Sequence, residues 1–278
     1  MAAPDVLVIG NLVRDLTASG WRLGGGVAYA ASQAARLGLR VAALTRCEAA
    51  VRPADGLPAV EWRRQASATT TTFENRYVAD KREQWLRADA GPIDLDDLPA
   101  EWRAAPIVLL APVFQEIDVE AVARWSPGAA LLGIGAQGWL RSAPSGRVEA
   151  GRVEPQPRWL GGDVIFVSEE DVADAEGVAV WQSESSIVVL TRAERGCSVW
   201  DEAGRQDIEA FETAVVDATG AGDSFAAAFL VARQEGRDVV AAARFASAAG
   251  ALAVRGEGAA ALGDRAAIES LLRTPVRG

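Results

Sequence analysis

Val215-Val216-Asp217-Ala218-Thr219-Gly220-Ala221-Gly222-Asp223-Ser224-Phe225 decides how the chain is read. Two glycines flank Ala221, and a carboxylate follows at once. Behind them runs Ser224-Phe225-Ala226-Ala227-Ala228-Phe229-Leu230-Val231-Ala232-Arg233, in which Phe225 and Phe229 stand one helical turn apart, with Gly236 as a stop. The glycines therefore lie where a loop becomes a helix N-terminus, whose free N–H groups and positive dipole end favour an anion. Asp223 falls in the first turn. An anion cradle beside a carboxylate suits phosphoryl transfer to a hydroxyl: amides stabilise charge on the moving group while the carboxylate accepts the hydroxyl proton. Read alone, G-x-G-D is satisfied by a turn with an acidic first position; the length of the surrounding stretch argues for more.

Composition narrows the classes. A chain of 278 residues, 50% of them hydrophobic, can bury a large core in one or two domains. The net charge of -10, from 28 basic and 38 acidic residues, argues against nucleic acid or an anionic membrane as a partner. It leaves a nucleotide open, because backbone amides and a metal can hold phosphates. With no histidine, a Ser-His-Asp triad, a histidine metal site and a histidine proton shuttle are excluded. Cys47 and Cys197 form no C-x-x-C motif and read as buried thiols. Met1 to Pro4 lead straight into Val6-Leu7-Val8-Ile9, and no apolar run is long enough to span a bilayer, so a soluble cytoplasmic protein is expected.

Residues 5–10 read as a buried strand; Gly24-Gly25-Gly26 then opens an alanine-rich helix over 27–37, and 40–44 is the next strand. That is βαβ grammar. Short buried strands are predicted at 107–111, 129–134, 164–167 and 187–190, alternating with helices near 117–125, 169–176, 223–235, 238–254 and 264–273. One region breaks the alternation. Residues 68–78 are rich in threonine and aromatics, and 82–87 follow Asp80-Lys81, which predicts an antiparallel hairpin with one polar face.

Asp217 to Phe225 closely resembles the C-terminal signature of the ribokinase-like carbohydrate kinases, the PfkB family, and the likeness extends unevenly over nearly all of the chain. The resemblance implies an α/β fold: a ribokinase-like three-layer α/β/α sandwich, one domain over 1–278, with a small β-strand lid inserted around 62–88. It implies Asp223 as general base and Gly220, Ala221 and Gly222 as anion hole. Thr191-Arg192-Ala193-Glu194-Arg195-Gly196 resembles the T-x-G-x-x-G strand end by the nucleotide phosphates, with Ala193 in place of the middle glycine; alone, it reads as a turn between two strands. Gly256 and Gly258 fall in the place of the adenine-side loop. Asp217 and Thr219, with the carbonyls of that loop, match the region where many relatives hold a monovalent cation, so K⁺ activation is an expectation from the resemblance.

At the other end Asp15 falls where relatives bind sugar hydroxyls, and a carboxylate suits vicinal hydroxyls because it only accepts. Gly24 and Gly25 match the family's Gly-Gly. A dinucleotide fingerprint is a poor competing reading, for no G-x-G-x-x-G is present and about a dozen residues separate strand from glycines. Three departures stand out. Tyr29 replaces the usual Asn of the sugar pocket. Ser168-Glu169-Glu170-Asp171 replaces N-x-x-E, so Ser168 stands beside the phosphates and Asp171 keeps a shorter carboxylate for Mg²⁺ through water; the same residues also read as a Ser-capped acidic helix start. The segment 46–60 lacks a V-G-x-D-x-x-G run. Thr71 to Asn75, Val167 to Glu170 and Thr191 to Cys197 look similar to the plant myo-inositol kinase-like branch, which places Asn75, Arg82, Gln84 and Gln137 on the acceptor or phosphate side.

What the resemblance implies is an ATP- and Mg²⁺-dependent kinase acting on a sugar, cyclitol or other small polyol, with a homodimer through the lid. Two alternatives stay open. One is a nucleoside kinase, in which Tyr29, Phe73 or Trp85 would stack on the base. The other is a weakened nucleotide- or polyol-binding sensor, suggested by Tyr29, Ser168 and Ala193.

Overall fold

The computed structural model describes residues 3–57, 59–78, 81–125, 130–153, 161–183 and 185–274. Strand β1 (Val6–Ile9) is followed by a hairpin of β2 (Val13–Thr17) and β3 (Gly20–Gly24), helix α1 (Gly26–Arg36), β4 (Val41–Cys47), a single turn α2 (Pro53–Gly56) and β5 (Val60–Ala66). A second hairpin, β6 (Thr71–Val78) and β7 (Lys81–Ala88), leads to β8 (Ile107–Leu110), α3 (Val119–Trp125), β9 (Leu131–Gly135) and the short α4 (Gln137–Leu140). Then come β10 (Val164–Ser168), β11 (Ile187–Thr191), β12 (Cys197–Asp201), β13 (Gly204–Ile208) and helices α5 (Ala221–Gln234), α6 (Val239–Ala253) and α7 (Arg265–Leu272).

The large sheet has the order β13-β12-β11-β10-β9-β8-β1-β4-β5. From β11 to β5 every neighbouring pair is parallel, and β12 and β13 add on antiparallel. Parallel strands need covering on both faces, and the period of two sorts their side chains accordingly. Val6, Val8, Ala43, Val164, Phe166 and Val189 point into one core, packed against α1, α5 and α6. Leu7, Ile9, Ala42, Leu44, Ile165 and Val188 point into the other, closed by Trp102, Ile117 and Trp181. The result is a three-layer α/β/α sandwich. The ring of Phe166 meets Phe229 edge-on at 5.5 Å and Phe225 at 6.4 Å, which seats α5 across the sheet. Burying each such ring contributes about 2 kcal/mol or more. Among the described residues no helix is long and apolar enough to cross a membrane.

The second sheet is small, in the order β3-β2-β6-β7. The hairpin expected around 62–88 is narrower: residues 62–66 belong to β5 and pair with β4 in the large sheet, whereas β6 and β7 pair from Thr72 to Ala88. The strands β2 and β3 were not apparent in the sequence, because charged and exposed residues break their apolar pattern. β12 and β13 were likewise missed, the latter being a polar edge strand. The predicted start of β9 at Ala129 lies outside the described residues. The helix expected over 169–176 is only a 3-10 turn, Glu169–Asp171. Val172 turns extended (φ -127°, ψ 145°) to enter the lower core, and that burial overrides the local helical preference.

Beneath the strand ends sits Glu116, 2% exposed. Its carboxylate accepts from the backbone N–H groups of Asn11 (2.8 Å), Val113 (2.9 and 3.0 Å) and Phe114 (2.7 Å). It thereby ties the end of β1 to the loop after β8. Burial pushes its pKa up, against the pull of those donors. Glu116→Ala strands several buried N–H groups and is expected to cost about 3 kcal/mol or more in chemical denaturation, without changing the m-value.

Candidate active site at the strand ends

The carboxyl ends of the parallel strands point to one edge, and the order reverses around β1, with β4 on one side and β8 on the other. Open α/β sheets bind ligands in such a crevice. Asn11, Ala111, Gln137, Ser168 and Thr191 lie at or just beyond successive strand ends, and α1 and α5 both begin here.

Gly220 caps α5 in the left-handed region (φ +80°). A methyl group there would also lie 2.1 Å from the Tyr29 ring, so glycine is required twice over. Gly222, two residues on, faces open space, with nothing within 4 Å of where a methyl would sit. The loop before them is shaped by Asp217, whose Oδ1 accepts from the Thr219 N–H at 2.9 Å. The N–H groups of Val216 and Asp217 donate to the Val254 carbonyl, tying this loop to the segment after α6.

Asp223 projects from the first turn of α5 against the start of α1: a methyl on Gly26 would lie 2.7 Å from its Oδ1. Burial raises its pKa to about 6; the Arg141 guanidinium pulls it down and the Asp171 carboxylate pushes it up. Asp171 is itself buried and accepts from Gln137 Nε2 (3.2 and 3.3 Å) and Arg141 Nη2 (3.3 Å). Arg141 also lies 5.9 Å from the centre of the Phe73 ring. Gln137 was expected here. Arg141 was not singled out, although it closes the run Gln137-Gly138-Trp139-Leu140-Arg141; a guanidinium four residues past a strand-end amide was the signal.

The small sheet turns one face to this cleft. Register pairs Asp15 with Arg22 and with Phe73, and Asn75 with Gln84, so these residues share that face. Asp15 is 6% exposed, and a methyl on Gly24 would lie 2.2 Å from its Oδ2. Gln84 Nε2 donates to Asn75 Oδ1 at 3.1 Å. Arg82 pairs with Tyr77 in the register, and its side chain lies outside the described residues. Gly25 carries φ +94° ahead of α1. Arg22 reaches the other way: Nη2 donates to Asp217 Oδ2 at 2.6 Å and Nη1 to Glu257 Oε2 at 3.0 Å.

Tyr29 does not line the acceptor pocket as expected. It is 1% exposed, packed beneath Gly220 with Ala253 and Leu262. Its hydroxyl has no hydrogen-bond partner among the described residues, and burial with the charges of Asp15, Asp217 and Asp223 raises its pKa. An aromatic ring in place of an amide therefore fills space behind the loop.

On the remaining side Ser168 and Thr191 are register partners at the ends of β10 and β11. Ser168 Oγ accepts from the Glu170 N–H at 3.3 Å, the capping role its sequence also suggested, and Thr191 Oγ1 donates to the Val167 carbonyl at 3.4 Å. Ala193 adopts φ +48°, so the backbone keeps a glycine-like shape at a cost of about 1 kcal/mol. Gly196 (φ +85°) completes the turn between β11 and β12, and Gly256 and Gly258 follow α6.

The profile of the pfkB family carbohydrate kinases matches residues 163–265, which include β10, β11, the glycine loop and α5. The likeness to the pfkB family carbohydrate kinases is carried by this segment, which holds the glycine loop. A probable fructokinase-4 of Arabidopsis thaliana is 31% identical over 132 residues, 41% of this chain and 40% of that protein, so the match stops well short of its full length. In fold, the chain is similar to a pyrophosphate-dependent kinase of the ribokinase family complexed with a pyrophosphate analog and myo-inositol (TM-score 0.79, 24% identity, 91% of this chain and 96% of the other). It is also similar to Arabidopsis thaliana ribokinase complexed with ribose and ATP (TM-score 0.76, 20% identity, 98% and 100% covered).

Two cations expected of a pfkB relative can be tested against these residues. Among the described residues no cluster of three carboxylates or thiols could hold a metal alone. Asp171, with both oxygens already engaged, fits Mg²⁺ only through water, the ion being carried on donor phosphates. Where the monovalent cation was expected, beside Asp217 and Thr219, one Asp217 oxygen accepts from the Arg22 guanidinium and the other from the Thr219 N–H, so a fixed positive group already stands against this carboxylate.

The two loop glycines make a discriminating pair. Gly220→Ala is expected to destabilise by about 2 kcal/mol or more, from the left-handed backbone and the Tyr29 collision. Gly222→Ala is expected to leave stability unchanged or raise it by up to about 1 kcal/mol, since the position is helical and open. Thermal denaturation of both variants checks this.

Proposed function

We propose that this protein is a kinase that transfers the terminal phosphoryl group of ATP to a hydroxyl of a small polyhydroxylated acceptor, a sugar or cyclitol. One observation carries the reading: the Asp223 carboxylate, its pKa raised by burial, follows the glycine loop at the start of α5 and lies against Gly26, two residues from Gly24, which lies against Asp15. The match of residues 163–265 to the pfkB carbohydrate kinases supports the reaction class, and fold neighbours complexed with myo-inositol and with ribose support the acceptor class.

In this mechanism Asp15, Asn75 and Gln137 hold the acceptor by its hydroxyls, with Gly24 and Gly25 giving the backbone close approach. Asp223 takes the proton of the reacting hydroxyl as its oxygen bonds to the terminal phosphorus. The bond from that phosphorus to the bridging oxygen breaks, and ADP leaves with the electron pair. The N–H groups of Gly220, Ala221 and Gly222 stabilise charge on the transferring group, and Arg141 adds positive potential from the opposite side. Mg²⁺ bound to the donor phosphates would neutralise part of their charge, with Asp171 reaching it through water. Ser168, Thr191, Gly196, Gly256 and Gly258 frame the donor, and the small sheet acts as a lid that excludes water from the transfer. A nucleoside acceptor is disfavoured. Tyr29 and Phe73 are buried, and Trp85 lies on the outer face of the small sheet between Arg76 and Arg87.

The test is ADP release with Mg²⁺ against cyclitols, pentoses, hexoses and nucleosides, with pyrophosphate as a second donor and Asp223→Asn alongside. Turnover on one acceptor class, reduced by about 10³-fold or more in Asp223→Asn with nucleotide affinity unchanged, is expected. Undiminished turnover in that variant would sink the assignment of the base, and ATP binding without any turnover would favour the sensor. Gly222→Ala should fold normally yet lose turnover, because its methyl fills the donor cradle.

The pH profile gives an independent check. Asp223 works as a base only when ionised, so kcat/KM should fall tenfold per pH unit below about 6, the acid limb lying well above an ordinary aspartate. Arg141→Gln should move that limb to higher pH and Asp171→Asn to lower pH, since the guanidinium favours the ionised form and the second carboxylate opposes it.

A further inference from the structure

Arg22 joins the two halves of the site. It stands on β3 directly across from Asp15 in the register, so its backbone neighbour is the residue facing the acceptor. Its side chain runs to the donor side, 195 positions along the chain, where it meets Asp217 at 2.6 Å. A second contact at 3.0 Å takes in Glu257, and its Cδ packs 3.4 Å from where a methyl on Gly258 would sit. Asp217 in turn holds the Thr219 N–H and so sets the shape of the loop that ends in Gly220. Arg22 and Asp217 are both half-buried, with side chains 29% and 16% exposed, so their attraction is screened less than that of a surface pair. Removing the guanidinium would leave the Asp217 carboxylate uncompensated in a site already holding Asp15 and Asp223, whose charges all bear on Tyr29.

We propose that the Arg22 guanidinium is a built-in cation for this site. As a positioning residue it clamps the 216–219 loop to the 254–258 segment and links the donor loop to the acceptor face. It takes the carboxylate that a soluble monovalent cation would need, so donor binding and transfer are independent of K⁺. The inference rests on the kinase reading for its activity readout and on donor binding alone for its second readout.

The experiment compares the wild type, Arg22→Gln and Arg22→Lys in choline, sodium and potassium chloride at equal ionic strength. Two quantities are read: the rise in melting temperature produced by ATP with Mg²⁺, and turnover on the best acceptor from the panel. The wild type is expected to agree within twofold across the three salts. Arg22→Gln in choline should lose tenfold or more in kcat/KM for ATP, mainly through KM, together with most of the ATP-induced stabilisation. Potassium or 10 mM guanidinium ion should restore part of that loss, and Arg22→Lys should retain most of the wild-type value. A cation-independent loss shared by Arg22→Lys would mean a merely structural role and overturn the proposal. So would wild-type activation by K⁺ of tenfold or more, or Arg22→Gln equal to wild type in choline. If no acceptor is turned over, ATP-induced stabilisation carries the same comparison, which separates failure of this inference from failure of the kinase reading. A wild type with neither turnover nor ATP-induced stabilisation overturns both.

Discussion

The carboxylate of Asp223 is held, half-buried, against the backbone of Gly26, and much of the fold serves to keep it there. Its desolvation requires that the first turns of α1 and α5 approach closely, which only the glycines at both starts allow. That approach depends on alanine-rich helix faces: Ala28, Ala31, Ala226 and Ala227 are all buried where the helices cover the sheet. A carboxylate so placed is raised towards neutrality by burial and returned part of the way by Arg141. The balance leaves a group that is ionised near neutral pH yet basic enough to take a proton.

The polar groups around it are nested. Asp171 orients Gln137 and Arg141 from below, while Glu116 fixes the ends of β1 and the β8 loop through backbone N–H groups. Asp217 shapes the glycine loop and is itself satisfied by Arg22. Glu116, Asp171 and Asp217 thus each have donors assigned to them, as burial demands. The outer face of the small sheet differs in kind. There Glu74 lies between Arg76 and Arg87, and both arginines lie over Trp85, in exposed pairs worth little individually.

How far the sequence could be read depended on how local each signal was. The strand at Val6–Ile9, the helix opened by Gly24 to Gly26 and the glycine loop before Asp223 are contiguous patterns, and the structure has them within a residue or two. The strands β2 and β3 were not legible, since β3 pairs only with β2 and β2 is anchored by β6, more than fifty residues on, and not by alternation of their own. The turn after Ser168 was over-read as a helix because three acidic residues suit a first turn, whereas the lower core takes Val172. Tyr29 was read as a pocket residue from its place in a motif, and packing behind Gly220 removes it from any ligand.

By itself the sequence determined the layered architecture and the place of the glycine loop at the start of a helix. Apolar periodicity and glycine placement are properties of neighbouring residues, and they act before any tertiary contact forms. Tertiary structure alone decided which distant groups share a site: Arg22 with Asp217 and Glu257, and Arg141 with Asp171 and Asp223. The physical reason is that an ion pair leaves no periodic trace along a chain. Its partners are chosen by where strand ends and loops come to rest, and by the cost of burying a charge that none of its sequence neighbours can offset.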